Sequence, residues 1–497
     1  MALFPVYPLF LALLVVILLL CYLNRLARGA ASLRLPPGPW ALPVIGHAHH
    51  LLGKLPQHKL RDLAQRHGPV MLLRVGELPV VVASSADAAR EIMKTQDLAF
   101  ATRHITRTMR LVLVQGSEGF LLAPYGEDWR QLRKIVTVEL LSARRVQSFR
   151  AFREQEVRQL LLAVQPGGRA VNLSKLISSY IADSMARAII GSRFKDRESF
   201  FRLLEQGLKL FSRPSLPDLF PSSRLAMLVS RRPRRVKQLS SSTLAFIERI
   251  IQEHQAHKVD AGEEEDMVDV LLRVQREGRL HSTVNIKAVI AELFMAGSDT
   301  SSTTLQWAMS ELVKNQRVMQ KAQREVRQVL EGQESVTEDR SSKLHYLHLV
   351  IKETLRLHPP APLLMPRECR GGPRRVLGFD VPDGAMVLIN TWAIGRDPSV
   401  WDDAEKFMPE RFEGNMVDFK GTNFEYTPFG AGRRMCPGMA FGLANIELAL
   451  ASLLYHFDWE CPAGKEATDL DMAEARIARR RSDLVLVPVV RVCVPPM

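Results

Sequence analysis

A proline-free stretch from residue 283 to 316 constrains the fold of this 497-residue chain more than any other feature. Its periodicity predicts one very long helix, and that length implies a central, buried element. Beyond residue 55 the sequence has no internal repeat and no Gly/Ser-rich linker. We therefore expect one large helix-rich domain, although a prior of roughly 150 residues per domain would suggest about three.

Shorter segments complete this prediction. Helical periodicity covers residues 128–138 and 154–164, whereas β segments are found only near the beginning and end of the body. Residues 70–75 and 78–83 predict a hairpin, and residues 483–488 predict a late strand. The expected fold class is mainly α with a small β portion.

The amino-terminal segment is apolar: residues 2–24 carry no charged side chain. A bilayer crossing takes about 20 apolar residues, so we expect a single transmembrane helix, an anchor over residues 1–24. The alternative is a cleaved signal peptide, but no basic segment precedes the apolar run and no clear cleavage site follows it. Arg25, Arg28 and Arg34 then favour a cytosolic body. Residues 25–55 form a basic, proline-rich hinge in this prediction, and residues 56–497 form the folded domain.

Charge and cysteine usage exclude several classes of protein. A net charge of +14 favours anionic membranes or acidic proteins as partners. The basic residues are spread out with no interleaved aromatic platform, so nucleic-acid binding is not expected. His47, His49 and His50 lie in a proline-flanked loop without other ligands, which favours surface histidines over a metal site. A disulfide framework or zinc knuckle is not expected from five scattered cysteines, Cys21, Cys369, Cys436, Cys461 and Cys493.

The densest chemical signal is in residues 428–438, which read Pro-Phe-Gly-Ala-Gly-Arg-Arg-Met-Cys-Pro-Gly. Glycines allow the backbone to pack against a flat ligand, and backbone amides directed at sulfur would stabilise a thiolate as an axial ligand of iron. Arg434, two residues before Cys436, can reach a carboxylate of that ligand. A nucleotide-binding G-x-G-x-x-G loop is excluded because Met435 occupies the last glycine position.

Five positions of this loop carry a family resemblance: Phe429, Gly432, Arg434, Cys436 and Gly438. They fill every specified position in the haem-binding signature of the cytochrome P450 family of haem-thiolate monooxygenases. The chain resembles that family, and most of all its plant microsomal members. The resemblance implies the cytochrome P450 fold and haem b (iron protoporphyrin IX) as cofactor. It also implies that Cys436 is the axial ligand of the haem iron, with Phe429, Arg434 and Gly438 in the cofactor-binding loop.

A second motif, Glu353-Thr-Leu-Arg356, resembles the E-x-x-R of the family. Residues three apart on a helix face the same way and can pair, but alone such a pattern would be read as a surface ion pair. The segment at 409–412 resembles the P-E-R-F of the family. The resemblance therefore implies a structural triad of Glu353, Arg356 and Arg411.

A third motif lies inside the predicted long helix, where residues 296–301 read Ala-Gly-Ser-Asp-Thr-Ser and resemble the oxygen-activation motif of the family. Small residues leave room beside haem, a hydroxyl can hydrogen-bond dioxygen, and a carboxylate can supply protons. The resemblance gives these catalytic roles to Thr300 and Asp299. Ala296 lies four residues earlier on the same face, towards the haem. An ordinary polar helical turn is the alternative, and it would be favoured if the cysteine loop were absent.

The resemblance also assigns residues to the cofactor and the pocket. Trp129 and Arg133 match a W-x-x-x-R helix whose members bind haem propionates, and Arg367 is a further propionate partner. Pocket walls are expected from residues 100–118, 208–219, 293–300, 361–365 and 475–477. Arg476 departs from the aromatic residue or glycine that relatives usually have near this position. The expected substrate-binding residues are apolar: Leu293, Ala296, Leu363, Leu364 and Met365.

The expected function is insertion of one oxygen atom from O2, typically a hydroxylation, into an apolar small molecule of specialised metabolism. A terpenoid is favoured because the expected lining offers few charges. No segment binds flavin or NADPH, so electrons are expected from NADPH-cytochrome P450 reductase, with cytochrome b5 as a further candidate partner. We expect the endoplasmic reticulum membrane as the location, with the domain on the cytosolic face and in contact with lipid.

Three alternatives stay open at this point. One is a haem-thiolate isomerase or dehydratase that acts without external oxygen, although such enzymes tend to lose the threonine and the acid. Another is a monooxygenase that acts on a phenolic or indole substrate. The third is a non-catalytic haem or scaffold protein.

Overall fold

Helices make up most of the fold. The computed structural model describes residues 12–13, 15–16, 33–111, 119–165, 168–191, 197–211, 215–256, 265–280, 282–464, 466–475 and 478–495, with backbone only at 197–198 and 208–211. The α-helices in chain order are Pro56–His67 (α1), Ala86–Arg90 (α2), Arg107–Arg110 (α3), Glu127–Ile135 (α4), Ala143–Ser148 (α5), Arg150–Val164 (α6), Leu173–Ile190 (α7), Arg197–Phe211 (α8), Leu216–Leu219 (α9), Arg224–Val229 (α10), Arg232–Ala256 (α11), Met267–Arg276 (α12), Thr283–Lys314 (α13), Gln316–Val329 (α14), Glu338–Ser341 (α15), His345–Leu357 (α16), Thr391–Ile394 (α17) and Met439–His456 (α18). This confirms the expected mainly α class.

The β portion is small. Its strands are Val70–Val75 (β1), Leu78–Ala83 (β2), Thr102–Arg103 (β3), Val171–Asn172 (β4), Arg367–Glu368 (β5), Arg374–Val376 (β6), Phe379–Val381 (β7), Met386–Ile389 (β8), Phe457–Glu460 (β9) and Val485–Val490 (β10). They form three sheets with the orders β1-β2-β8-β5-β3, β4-β10-β9 and β6-β7. The predicted hairpin is confirmed, with Val75 opposite Leu78. The late strand begins two residues after its predicted start, at Val485.

Local chemistry sets the ends of α13 and α7, two helices that pack against each other. Ser282 caps α13, because its hydroxyl accepts a hydrogen bond from the Val284 amide at 3.1 Å. The predicted end at residue 316 is wrong: Asn315 has ψ 75°, outside the helical region, so α13 stops at Lys314 and α14 begins at Gln316. Helix α7 ends at Gly191, which has a left-handed φ of 65°.

Helix α13 runs through the core, as its length predicts. Between Ser301 and Val313 all its residues are buried except Gln306, which is half-buried. Helix α7 packs closely along it, since a Cβ at Gly297 would lie 2.4 Å from the Met185 Cε atom. A hydrogen bond of 3.0 Å between Ser178 and Ser302 holds the same two helices together. A buried helix of this kind provides a rigid support for the site described below.

Among the described residues, one helix is apolar and long enough to cross a membrane. It is α18, and 72 % of its tested window is buried inside the protein, as expected of a core helix. The anchor predicted over residues 1–24 lies outside the described residues, apart from four helical ones at 12–13 and 15–16.

Candidate active site

The cysteine loop immediately precedes α18 and is fixed by its own backbone. The Cys436 amide donates to the Phe429 carbonyl at 3.0 Å, and the Met435 amide donates to the Gly432 carbonyl at 3.0 Å. The Phe429 ring packs edge-on against Phe419, with centroids 5.4 Å apart. These contacts hold Cys436 in one position relative to the core.

Two glycines of the loop differ in what a side chain at their position would meet. Gly432 has a φ of 68°, and a Cβ there would lie 2.2 Å from the Met93 carbonyl oxygen, so no other residue fits without displacement of the backbone. Gly438 has a φ of −89°, and a Cβ there would meet no atom within 4 Å. The space beside Gly438 fits a flat ligand that lies against the loop.

The Cys436 side chain is surrounded by protein atoms, yet part of its surface is accessible. This combination is typical of a residue in the wall of an internal cleft. Burial raises the pKa of the thiol, whereas the Gly438 amide and the charge of Arg133 act in the opposite direction. Arg133 also donates a hydrogen bond to the Met435 carbonyl. A donor amide and a cation beside the sulfur favour the thiolate that an iron ligand requires.

A cationic cluster adjoins this loop and consists of Arg103, Arg133, Arg367 and Arg434. Burial lowers the pKa of Arg434 to about 9, and the charges of Arg367 and Arg133 add to the effect. Burial together with the other three arginines lowers the pKa of Arg103 as well. The Arg103 Nε atom is buried with no hydrogen-bond partner among the described residues.

Few carboxylates compensate this cluster in the described part of the chain. Asp97 pairs with Arg367 at 3.3 Å, and Glu292 is the other carboxyl group near Arg434. Burial raises the pKa of Glu292 to about 8, against the hydrogen bonds that it accepts from the Leu121 and Leu122 amides, so it is largely neutral at pH 7. Buried cations without matching anions favour the binding of an anion, and the two propionates of haem fit this requirement.

Trp129 supports Arg434. Its indole N–H donates to the Phe120 carbonyl at 2.8 Å, and the Arg434 guanidinium lies 4.2 Å from the centre of its ring. Arg434 Nε donates to the Ala101 carbonyl at 2.6 Å. The protein itself therefore uses the indole N–H in this structure, and a direct bond from Trp129 to haem stays a prediction.

Sequence reasoning missed Arg103. It lies opposite Arg367 where β3 pairs with β5, and it donates to the Met365 carbonyl at 2.8 Å, 262 positions later. No local motif marks Arg103, because its place depends on this long-range strand pairing. A signal for it would have required the β3–β5 register.

The oxygen-activation motif lies on the one face of α13 that is open. Ala296 and Thr300 are exposed, although the helix is buried from Ser301 to Val313 apart from the half-buried Gln306. The Thr300 hydroxyl donates to the Ala296 carbonyl at 2.8 Å. A Cβ at Gly442, in the second turn of α18, would lie 3.3 Å from the Ser301 hydroxyl. The packing of these two helices brings the motif and the cysteine loop into one region.

Asp299 is paired with Arg479, a second residue that the sequence did not assign to the site. Arg479 Nε donates to one Asp299 carboxylate oxygen at 2.9 Å, and Nη2 donates to the other. The only sequence signal was the basic run that ends at Arg481, which has no helical or strand pattern.

The three triad residues meet in the core. Arg356 donates to both Glu353 carboxylate oxygens, at 2.7 and 2.8 Å, and Arg411 donates to one of them at 3.0 Å. Arg356 also donates to the Gly395 and Ala404 carbonyls. The triad thus ties α16 to the segment that leads towards the cysteine loop.

The expected substrate contacts divide into two groups. Leu293 is 5 % exposed and belongs to the main hydrophobic core, which leaves it little surface for a ligand. Leu363, Leu364 and Met365 are half-buried, and the Leu364 Cδ1 atom lies 3.8 Å from where a Cβ of Gly430 would be. Residues 112–118, 212–214 and 476–477 of the expected walls lie outside the described residues, as do the side chains of 208–211.

Comparisons with known proteins identify the family of this chain. The Cytochrome P450 family model matches residues 36–486. The chain is 48 % identical over 495 residues to desmethyl-deoxy-podophyllotoxin synthase of Sinopodophyllum hexandrum, covering 97 % of each protein. It is 46 % identical over 494 residues to dolabradiene monooxygenase of Zea mays, again covering 97 % of each.

A solved structure shows the same fold. Zebra fish cytochrome P450 with progesterone matches with a TM-score of 0.77 and 23 % identity, over 88 % of this chain and 100 % of that one. The fold is therefore the cytochrome P450 fold. This chain belongs to the cytochrome P450 family as a plant-type member, and it is a haem-dependent monooxygenase that uses O2, a substrate and a redox partner.

Proposed function

We propose that this enzyme hydroxylates an apolar small molecule of specialised metabolism, with a terpenoid skeleton as the favoured class. The described lining supports this proposal, because Ala296, Leu363, Leu364 and Met365 are uncharged and partly open. A relative at 46 % identity is named as a monooxygenase of a diene, dolabradiene. The overall reaction takes O2, two electrons, two protons and a C–H bond to an alcohol and water.

Haem b is the proposed cofactor, and it would supply the iron at which O2 is reduced. Cys436 would hold the iron, and the loop from Phe429 to Gly438 would lie against one face of the macrocycle. Arg103, Arg133, Arg367 and Arg434 would bind the propionates. The charge of the cationic cluster is the observation that carries this assignment, because four arginines that share one paired carboxylate, Asp97, favour the binding of an anion with two negative charges.

Proton delivery is proposed for Thr300 and Asp299. The Thr300 hydroxyl donates its own proton to Ala296, so its lone pairs can accept a proton or a hydrogen bond from the open side of α13. Asp299 would pass protons from solvent towards this hydroxyl. The presence of both groups favours oxygen reduction over an isomerase or dehydratase, which takes no protons from solvent for this purpose.

The proposed location is the endoplasmic reticulum membrane, with residues 1–24 as a single-pass anchor, 25–55 as a hinge and 56–497 as the cytosolic catalytic domain. Exposed apolar side chains support contact with lipid: Leu225, Leu228 and Val229 of α10 are 64–82 % exposed. The α10 helix is followed by basic residues that suit anionic headgroups. NADPH-cytochrome P450 reductase is the proposed electron donor, with cytochrome b5 as a second one, and the net charge of +14 suits an acidic partner.

Isotope labelling tests this function. Microsomes that contain the enzyme and the reductase are supplied with NADPH and a panel of terpenoid hydrocarbons, phenolics and indoles under 18O2. We expect a terpenoid product that carries one 18O atom and requires NADPH. A product formed without O2 or NADPH would establish the isomerase alternative, and turnover confined to phenolics or indoles would overturn the terpenoid assignment.

A further inference from the structure

Arg479 joins three separate parts of the fold. Its guanidinium binds both carboxylate oxygens of Asp299 on α13, as described above, and its Nη1 atom lies 3.4 Å from the carboxylate of Glu205 on α8. Arg479 itself belongs to the loop before β10. One side chain therefore connects the proposed proton relay with α8 and with the loop before β10.

The pair has the geometry of a strong interaction. A guanidinium that donates to both oxygens of one carboxylate fixes the orientation of that carboxylate as well as its charge. Asp299 is 15 % exposed and Arg479 is 34 % exposed, so water screens the pair less than a surface pair. Burial lowers the pKa of Arg479, but Asp299 and Glu205 outweigh this effect and leave the pKa above its ordinary value.

The neighbouring arginines have different partners, so the contact is specific to Arg479. Arg480 donates to the Ser310 hydroxyl at 2.6 Å and lies over the Trp307 ring. Arg481 pairs with Asp471 at 3.0 Å on the surface. Loss of Arg481 would therefore change the charge of the loop without any effect on Asp299.

Helix α8 has a second contact with α13 close to the relay. The Phe200 ring packs edge-on against Phe294, with centroids 4.9 Å apart, and Phe294 lies five positions before Asp299. A movement of α8 would thus act on both Phe294 and the Glu205 end of the ion pair. The ion pair therefore couples the position of α8 to the orientation of Asp299.

We propose that Arg479 is a positioning residue for proton delivery, which holds the Asp299 carboxylate in one orientation and links this arrangement to α8 through Glu205. The proposal rests on the relay role of Asp299 proposed above. Arg479 does not transfer the proton itself. It fixes the orientation of the carboxylate that, in this proposal, passes the proton from water to the Thr300 side.

The test compares full-length variants in microsomes with reductase, NADPH and dolabradiene as the probe. The quantities measured are O2 consumption, NADPH consumption and H2O2 release per haem, in H2O and in D2O, and all three are defined whether or not dolabradiene is hydroxylated. Haem content from the carbon monoxide spectrum normalises each variant. The variants are R479Q, R479K, E205Q, D299N, the R479Q/D299N double variant and R481Q as the matched control.

We expect R479Q to lower O2 consumption by about threefold to tenfold, less than the roughly 10²–10⁴ that a proton-transferring group contributes itself. Its solvent isotope effect should increase, R479K should recover at least half of the rate, and R481Q should behave as wild type. E205Q should change the rate in the same direction by a smaller factor. In the D299N background, R479Q should have no further effect, because it acts through Asp299.

Three results separate the possible failures. If D299N leaves the rate and the solvent isotope effect unchanged, the relay role of Asp299 is wrong. If D299N reduces the rate but R479Q does not, or if the two effects are additive, Arg479 has no positioning role and the inference alone is overturned. An E205Q variant that matches wild type would remove the link to α8.

Discussion

Arg103 and Arg367 lie directly opposite each other where β3 pairs with β5, and both side chains are buried. Like charges in that position repel and destabilise a sheet. The proposed cofactor, haem b, would bring two carboxylates to this place and so compensate the repulsion.

The first prediction follows from this pair. R103M should release haem faster to an excess of apomyoglobin, by about tenfold, because one cation of the proposed propionate site is lost. Stability of the haem-free protein should remain equal or increase, because the repulsion is relieved. Haem transfer followed by absorbance, and urea unfolding of the haem-free form, measure the two effects.

R433Q is the matched control for R103M, since Arg433 is largely exposed and pairs with Asp97 at the edge of the cluster. It should change haem release by less than about threefold. Equal haem release from R103M and wild type would contradict the assignment of Arg103 to the cofactor site.

The second prediction concerns the buried triad. E353A leaves Arg356 and Arg411 without their carboxylate, and removal of one partner of a buried pair costs about 3–5 kcal/mol. We expect little or no haem-containing E353A protein at 37 °C and a lower urea midpoint at 15 °C. The control is E405Q, because Glu405 is 63 % exposed and should contribute under about 1 kcal/mol. An E353A midpoint equal to that of E405Q would show that the triad is not a main support of the fold.

The third prediction is a pH dependence at Glu292. Its ordinary pKa is 4.5, whereas burial raises the pKa in the folded protein to about 8. Between these values the folded protein binds more protons than the unfolded chain, so this group stabilises the fold most at low pH and the effect is lost as pH rises to about 8. E292Q removes this slope.

The measurement for Glu292 is the difference in Tm between E292Q and wild type from pH 5 to pH 8.5, in which other groups cancel. The Tm of E292Q relative to that of wild type should increase as pH rises. A difference that stays constant with pH would mean that the Glu292 carboxyl does not change its proton occupancy on folding.

The fourth prediction distinguishes the two loop glycines. G432A should destabilise the protein with or without haem, because its Cβ would lie 2.2 Å from the Met93 carbonyl. G438A should leave the haem-free protein intact and accelerate haem loss, because its Cβ enters the open space beside the loop. Urea midpoints and haem transfer rates check both variants. A haem transfer rate for G438A equal to that of wild type would contradict the proposed placement of the cofactor against Gly438.

Local patterns predicted the elements whose residues are close in sequence. The β1–β2 register and the central position of α13 follow from alternation and helical period. The end of α13 was missed by two residues, since Asn315 interrupts the helix and neither proline nor glycine marks this break. The Cys436 loop was found because its residues are contiguous.

The sequence could not predict which residues from distant parts of the chain contact the site. Arg103 reaches the site through strand pairing, and Arg479 reaches Asp299 across 180 positions. The hydrogen bond from the Trp129 indole N–H to the Phe120 carbonyl depends on the conformation of the loop before α4. A motif identifies a residue type and its role. Which other residue contacts that side chain depends on the tertiary structure.

The most direct test of the whole account is the reduced carbon monoxide difference spectrum of membranes that contain the protein. Wild type and C493S, which changes an exposed cysteine, should both show the red-shifted Soret band of thiolate-ligated haem. C436S should bind haem without that band. A C436S protein that keeps the band, or a haem-loaded wild type that lacks it, would contradict the assignment of Cys436 as the iron ligand.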